Sequence, residues 1–117
     1  MDTITIKLTD HISLNKGITP DEAEPILNKE IEAFKNGNNV ILDFEGVEML
    51  TTAFLNVVIG NLYENHTSEE LNAMLKLVNY DEPTAIRIKK VTDNAKAFYK
   101  NAEEYSNVVK EVINENR

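Results

Sequence analysis

Three stretches of the chain carry the apolar pattern of β-strands. We expect these strands over residues 2–8, 39–44 and 74–79. In the first, Ile4, Ile6 and Leu8 alternate with polar residues, which is the period of a half-buried strand. The second is an almost unbroken apolar run, which is typical of a strand inside a covered sheet. The third is less regular, and we expect a short helical turn before it.

A first helix is predicted after the first strand and a loop over residues 10–17. Thr19 and Glu22 have the spacing of a capping box, and Pro20 suits the first helical position. Gly37 is the expected stop signal. The apolar stripe of this helix is predicted to consist of Ile26, Leu27, Ile31 and Phe34.

A second helix is predicted over residues 53–63. Apolar side chains surround most of it, so it must be covered on more than one side. These side chains are Phe54, Leu55, Val57, Val58, Ile59 and Leu62. Thr51 and Thr52 precede the helix, and we expect one of them to cap its free backbone N–H groups.

The chain beyond Pro83 has apolar residues spaced alternately by three and four, which predicts one long helix or two that meet near Asn94 or Asn101. The positions of this seam are Ile88, Val91, Ala95, Phe98, Ala102, Tyr105, Val109 and Val112. Small and large residues are mixed along the seam, which suits packing against an uneven surface better than a two-stranded coiled coil. We therefore expect residues 88–98 to dock on their own domain, and residues 105–113 remain available to a second copy.

The alternation of strands and helices predicts one α/β domain over residues 1–117, with a small mixed sheet flanked by helices and a long C-terminal helical segment. A length of 117 residues suits a single core.

Charge and composition reduce the number of function classes that fit this chain. The 20 acidic and 12 basic side chains give a net charge of −8, which disfavours binding to nucleic-acid phosphates or to an anionic membrane. The absence of cysteine removes disulfides, thiol catalysis and cysteine-rich zinc sites. No stretch has the pattern of a targeting or membrane-spanning segment, so we expect a cytoplasmic protein.

The sequence offers little catalytic chemistry. His11 and His66 lie in predicted loops without metal-ligand spacing, and the glycines are isolated from one another. We therefore expect neither an enzyme nor a cofactor. Most carboxylates, including those of Glu30, Glu32, Glu45 and Glu48, are expected on the solvated surface. Asp43 interrupts an apolar strand directly before a turn, where a carboxylate typically bonds nearby backbone N–H groups.

Residues 40–55, with the sequence VILDFEGVEMLTTAFL, resemble the central strand–loop–helix of STAS domains. These domains occur in sulfate transporters and anti-sigma-factor antagonists. The segment is closer still to a small bacterial family described as STAS-like domains of unknown function. The resemblance is good over residues 38–63. It implies a domain with a sheet flanked by helices, and a function that does not involve catalysis.

The resemblance also implies a switch region at the start of the second helix. In the antagonists, a serine there is phosphorylated by a histidine-kinase-like ATPase. Ala53 falls at that position, Thr52 one residue before it, and Thr51 at the place of an acidic residue. Either the switch is lost in this chain, or a shift of one residue makes Thr52 the acceptor.

Two functions follow as expectations. The first is a regulatory module that binds a kinase-like ATPase or an anti-sigma factor. Its partner-binding surface would consist of Asp43, Glu45, Thr51, Thr52 and Asn56. The second is a structural or adaptor protein that self-associates as a homodimer through the C-terminal seam.

Overall fold

The computed structural model describes the backbone of residues 2–115 and the side chains of residues 2–100. The strands are β1 Thr3–Lys7, β2 Lys16–Gly17, β3 Asn39–Asp43, β4 Met49–Leu50 and β5 Leu75–Val78. The α-helices are α1 Pro20–Lys35, α2 Thr52–Val58, α3 Ser68–Met74 and α4 Glu82–Glu115. Two short 3₁₀ helices cover Leu8–Asp10 and Gly60–Glu64. The predicted α/β class is confirmed.

The main sheet has the order β1-β3-β5, and β3 pairs with a neighbour on each side. Both pairings are parallel, as is the separate pairing of β2 with β4. The prediction of a mixed sheet is therefore wrong. The reason is that a helix lies between each two consecutive strands of the main sheet, and such crossovers return the chain in the same direction.

Helix α1 begins as predicted. The Thr19 hydroxyl accepts a hydrogen bond from the Glu22 backbone N–H, and the Glu22 carboxylate accepts one from the Thr19 N–H. The helix ends at Lys35, with Gly37 at a φ of 79°. Its buried face differs from the predicted stripe, because Ile31 is 49 % exposed whereas Glu30 is fully buried. The expectation of Glu30 on the solvated surface is wrong.

The predicted helix over residues 53–63 consists of two pieces. Helix α2 ends at Val58, and after Ile59 the chain continues as the 3₁₀ helix Gly60–Glu64. Nearly all its apolar side chains are buried between α1 and α4, including Phe54, Leu55 and Val58. The predicted loop over residues 10–17 also differs, because its last two residues form β2.

Gly17 explains why β2 lies so close to α2. A Cβ atom built on this glycine would lie 2.6 Å from Leu50 Cδ2 and 2.9 Å from Phe54 Cε2. Only a residue without a side chain fits there without moving the core.

The C-terminal segment is one helix that passes through Asn94 and Asn101 without a break. Val91 and Ala95 are buried against the domain, as predicted. Phe98 is 64 % exposed, so the expectation that the seam is docked as far as residue 98 is wrong. The prediction that residues 105–113 are available to a second copy concerns side chains outside the described ones.

Candidate functional site

The predicted site residues lie where the carboxyl ends of the strands meet the start of α2. In open α/β sheets this is the edge at which loops form binding sites. Asp43 is the last residue of β3, Glu45 lies in the turn that follows, and Thr51 and Thr52 begin α2. The chain between them turns at Gly46, which has a φ of 82°.

Asp43 ties three segments together. Its Oδ1 accepts a hydrogen bond from the Glu45 backbone N–H and another from the Asn79 side-chain amide, both at 2.9 Å. The Asn79 amide and then the Glu45 N–H lower the pKa of Asp43, and Lys7 at the end of β1 adds to the effect. The expected turn-capping role of Asp43 is therefore present, and Asn79 is a partner that the sequence did not indicate.

Thr51, and not Thr52, caps α2. Its hydroxyl accepts a hydrogen bond from the Phe54 N–H at 3.1 Å and donates one to the Ile18 carbonyl at 2.6 Å. Its own N–H donates to the Gly17 carbonyl at 3.0 Å. Thr51 therefore fastens the start of α2 to β2, and its hydroxyl is already used by hydrogen bonds within the domain.

Thr52 is the first helical residue and is half-buried, whereas Ala53 and Asn56 are exposed. Thr52 and Asn56 are four residues apart and share one side of the helix. Ala53 thus occupies an accessible position but has no hydroxyl group that could be phosphorylated. Thr52 is the nearest hydroxyl that does not serve as the cap.

Asn56 extends this surface toward α4. It lines a cleft of about 290 Å³ together with Asn94, Phe98 and others. A larger, open cleft of about 720 Å³ lies between the Gly60–Glu64 3₁₀ helix, the start of α3 and α4. Aromatic and lysine side chains line it, among them Tyr63, His66, Lys96, Phe98 and Tyr99. None of the predicted site residues lines this larger cleft, so the site and the cleft are separate features.

Exposed apolar side chains flank the other side of the Thr51 cap, and the sequence analysis missed them. Leu14, Ile18 and Met49 lie on or beside the small β2–β4 sheet and are 84 %, 45 % and 45 % exposed. Met49 belongs to a two-residue strand, and Leu14 and Ile18 lie just outside another, so no period in the sequence distinguished the three from loop residues.

Within the described residues, no group of three or more histidine or carboxylate side chains is placed to hold a metal ion. No helix in the described part of the chain is both long enough and apolar enough to span a bilayer.

Comparison with known proteins identifies the family. No curated protein and no solved structure matches this chain. A family model described as a STAS-like domain of unknown function (DUF4325) matches residues 22–85. The matched part is more than half of the chain and runs from the first turn of α1 to the first turn of α4, so it contains β3, the Thr51 cap and α2. The chain belongs to this family of STAS-like domains.

Proposed function

We propose that the chain is a non-catalytic protein-interaction module that binds a regulatory partner over the start of α2. The observation that supports this most directly is that Thr51 is used by the fold whereas its neighbours on α2 are accessible. Thr51 fixes the start of α2 through three hydrogen bonds, and Ala53 and Asn56 are exposed on the helix that it fixes. A rigid, accessible helix start is suited to recognition by another protein.

The polar groups at this edge support binding better than catalysis. Asp43 is used by a turn and by Asn79, and the hydroxyl of Thr51 is used by the cap. A catalytic site would need a nucleophile within reach of a base, and the fold already uses both of these groups for structural hydrogen bonds.

The partner class is inferred from the family. In the anti-sigma-factor antagonists that the chain resembles, a serine in this region is phosphorylated by a histidine-kinase-like ATPase, and we propose a partner of this class or an anti-sigma factor. Because Ala53 has no hydroxyl, any charge switch at this surface would act through Thr52. A negative charge in the first turn of a helix is locally favourable, so it would alter the binding surface without unfolding α2.

The test uses the full chain, tagged and returned to its source cells, as wild type and as Thr52→Glu and Thr52→Val. The captured protein is identified, purified and titrated against each variant by calorimetry. We expect an ATPase or anti-sigma factor, with Thr52→Glu weakening its binding about tenfold and Thr52→Val by less than about threefold.

Ala97→Glu is the matched control, because it adds the same charge at an exposed position of α4. It should leave the affinity within about twofold of wild type. Equal affinities for the wild type and both Thr52 variants would refute the proposed surface.

A second candidate function is self-association through the C-terminal seam. The observation that favours it is the exposure of Phe98, a seam residue that is not covered by its own domain although α4 continues to Glu115. A contiguous apolar patch marks a contact surface, and the seam positions that follow Phe98 in the sequence would extend it into such a patch.

A further inference from the structure

The outward face of the β2–β4 sheet is apolar. Neighbouring residues of a strand point to opposite sides, so Lys16 and Met49 share one face, and Gly17 and Leu50 share the other. Gly17 and Leu50 are buried in the core, whereas Met49 is 45 % exposed. Ile18 follows Gly17, returns to the outward face and is also 45 % exposed.

Leu14 stands at the tip of the turn that leads into β2. The Lys16 N–H donates a hydrogen bond to the Ser13 carbonyl at 3.0 Å, which closes a four-residue turn. Both central residues are left-handed, with φ of 53° at Leu14 and 59° at Asn15. Two such residues are the mark of a type I′ turn, whose first central position favours asparagine, aspartate or glycine.

A leucine at this position is unfavourable for the turn and contributes little to the core. Branched apolar residues adopt positive φ only with strain, and Leu14 is 84 % exposed. Neither turn propensity nor burial within the domain therefore accounts for its presence. Strained residues of this kind are typically found at functional sites.

Exposed acidic residues lie on the segments that adjoin this apolar face. Glu48 adjoins Met49, and its backbone N–H donates to the Asn15 carbonyl at 2.8 Å, so it lies beside the turn. Glu45 and Asp21 are exposed on the adjoining segments. Lys16 is the basic residue within the face itself. The surrounding charge favours a partner with basic residues around its apolar contacts.

We propose that Leu14, Ile18 and Met49 form a docking surface for an amphipathic segment of a partner protein, in which large apolar side chains are flanked by lysine or arginine. The proposal rests on the proposed function, because Thr51 joins this face to the start of α2 through the Ile18 carbonyl. We therefore expect the partner to contact both surfaces.

The test uses a displayed library of random dodecapeptides, selected on the full chain. The most enriched peptide is synthesised, and its affinity is measured by fluorescence polarisation. We expect enriched peptides to combine aromatic or aliphatic residues with lysine or arginine, and their binding to weaken as salt is raised.

Leu14→Asn and Met49→Ser should each weaken binding of that peptide about tenfold. Leu14→Asn should also melt no lower than wild type, since asparagine tolerates the left-handed conformation. Ile86→Ser is the control, because Ile86 is a similarly exposed apolar residue on α4, at 66 %. It should leave the affinity within about twofold.

The proposal is refuted if no peptide is enriched, or if enriched peptides bind Leu14→Asn as tightly as wild type. It is also refuted if light scattering shows a wild-type dimer that Leu14→Asn abolishes, because a second copy would then occupy the face. If Thr52→Glu weakens the native partner while Leu14→Asn leaves peptide binding unchanged, this inference fails and the proposed function stands. If the peptide behaves as expected but the native partner ignores Thr52, the proposed function fails instead.

Discussion

Glu30 lies on the inner face of α1 and is fully buried. Neither carboxylate oxygen has a hydrogen-bond partner among the described residues. Burial alone raises the pKa of Glu30 well above its ordinary value, because a charged carboxylate would lose its hydration. Burial in the folded protein therefore favours the neutral, protonated form of this side chain.

The raised pKa of Glu30 makes stability depend on pH. Below about pH 4.5, the ordinary value for glutamate, the folded and unfolded states both hold the proton. Above it, the unfolded state releases the proton while the folded state keeps it, so the free energy of unfolding falls until the pH passes the folded-state pKa. Glu30→Met should remove this loss and raise the free energy of unfolding by about 1–3 kcal/mol at neutral pH.

Urea denaturation of wild type and Glu30→Met at acidic and slightly alkaline pH measures the effect. The gain should be larger at the higher pH. Glu32→Met serves as the control, because Glu32 is exposed on the same helix, and its removal should change stability by less than about 0.5 kcal/mol. A gain that is the same at both pH values would show that the pKa of Glu30 is not raised in the folded protein.

At the scale of elements, β3 is the strand on which the sheet depends. It pairs on both sides, and Val40 and Leu42 are buried almost completely. Leu42→Asp places an unpaired charge in the core and should unfold the domain, since this costs several kcal/mol. Circular dichroism and thermal melting report the loss. Thr5→Asp, at an exposed position of the edge strand β1, should retain the wild-type spectrum, and a folded Leu42→Asp protein would show that β3 is not central.

The elements that the sequence predicted well are those whose sequence signals lie within a few neighbouring residues. The capping box of α1 and the apolar run of β3 each lie within a few residues. Thr67 and Glu70 form a second capping box at α3, where only a short helical turn was predicted. The pairing of β2 with β4 joins residues 33 apart, Lys16 with Met49 and Gly17 with Leu50, so no local pattern announces it.

The same distinction holds for the candidate site. The chain pattern predicted a threonine cap at the start of α2, but it could not decide between Thr51 and Thr52. That choice depends on the Ile18 carbonyl, which accepts from Thr51 across the β2–β4 contact. The Asn79 amide reaches Asp43 from the end of β5 in the same non-local way. Glu30 was misplaced for another reason: its helical position points inward, and its charge suggested the opposite.

At the scale of the whole molecule, α4 has two different environments. Its first half packs on the domain through Val91 and Ala95, and the 3₁₀ helix Gly60–Glu64 and α2 provide the surface beneath. Phe98 is exposed, and the seam spacing continues in the sequence through Ala102, Tyr105, Val109 and Val112. We therefore predict a structural role for the start of α4 and, under the second candidate function, a contact role for the remainder.

Truncation after Asn101 tests that separation. Since the described buried contacts of α4 end at Ala95, the shortened chain should fold and unfold at a free energy within about 1 kcal/mol of wild type. If the seam drives self-association, light scattering should show a concentration-dependent mass for the full chain and a monomer for the shortened one. Val91→Ala is the contrasting variant, because it empties a fully buried position and should cost about 1–3 kcal/mol. Global unfolding of the truncated chain would show that the C-terminal half of α4 belongs to the core, and a monomeric full chain would remove self-association as a function.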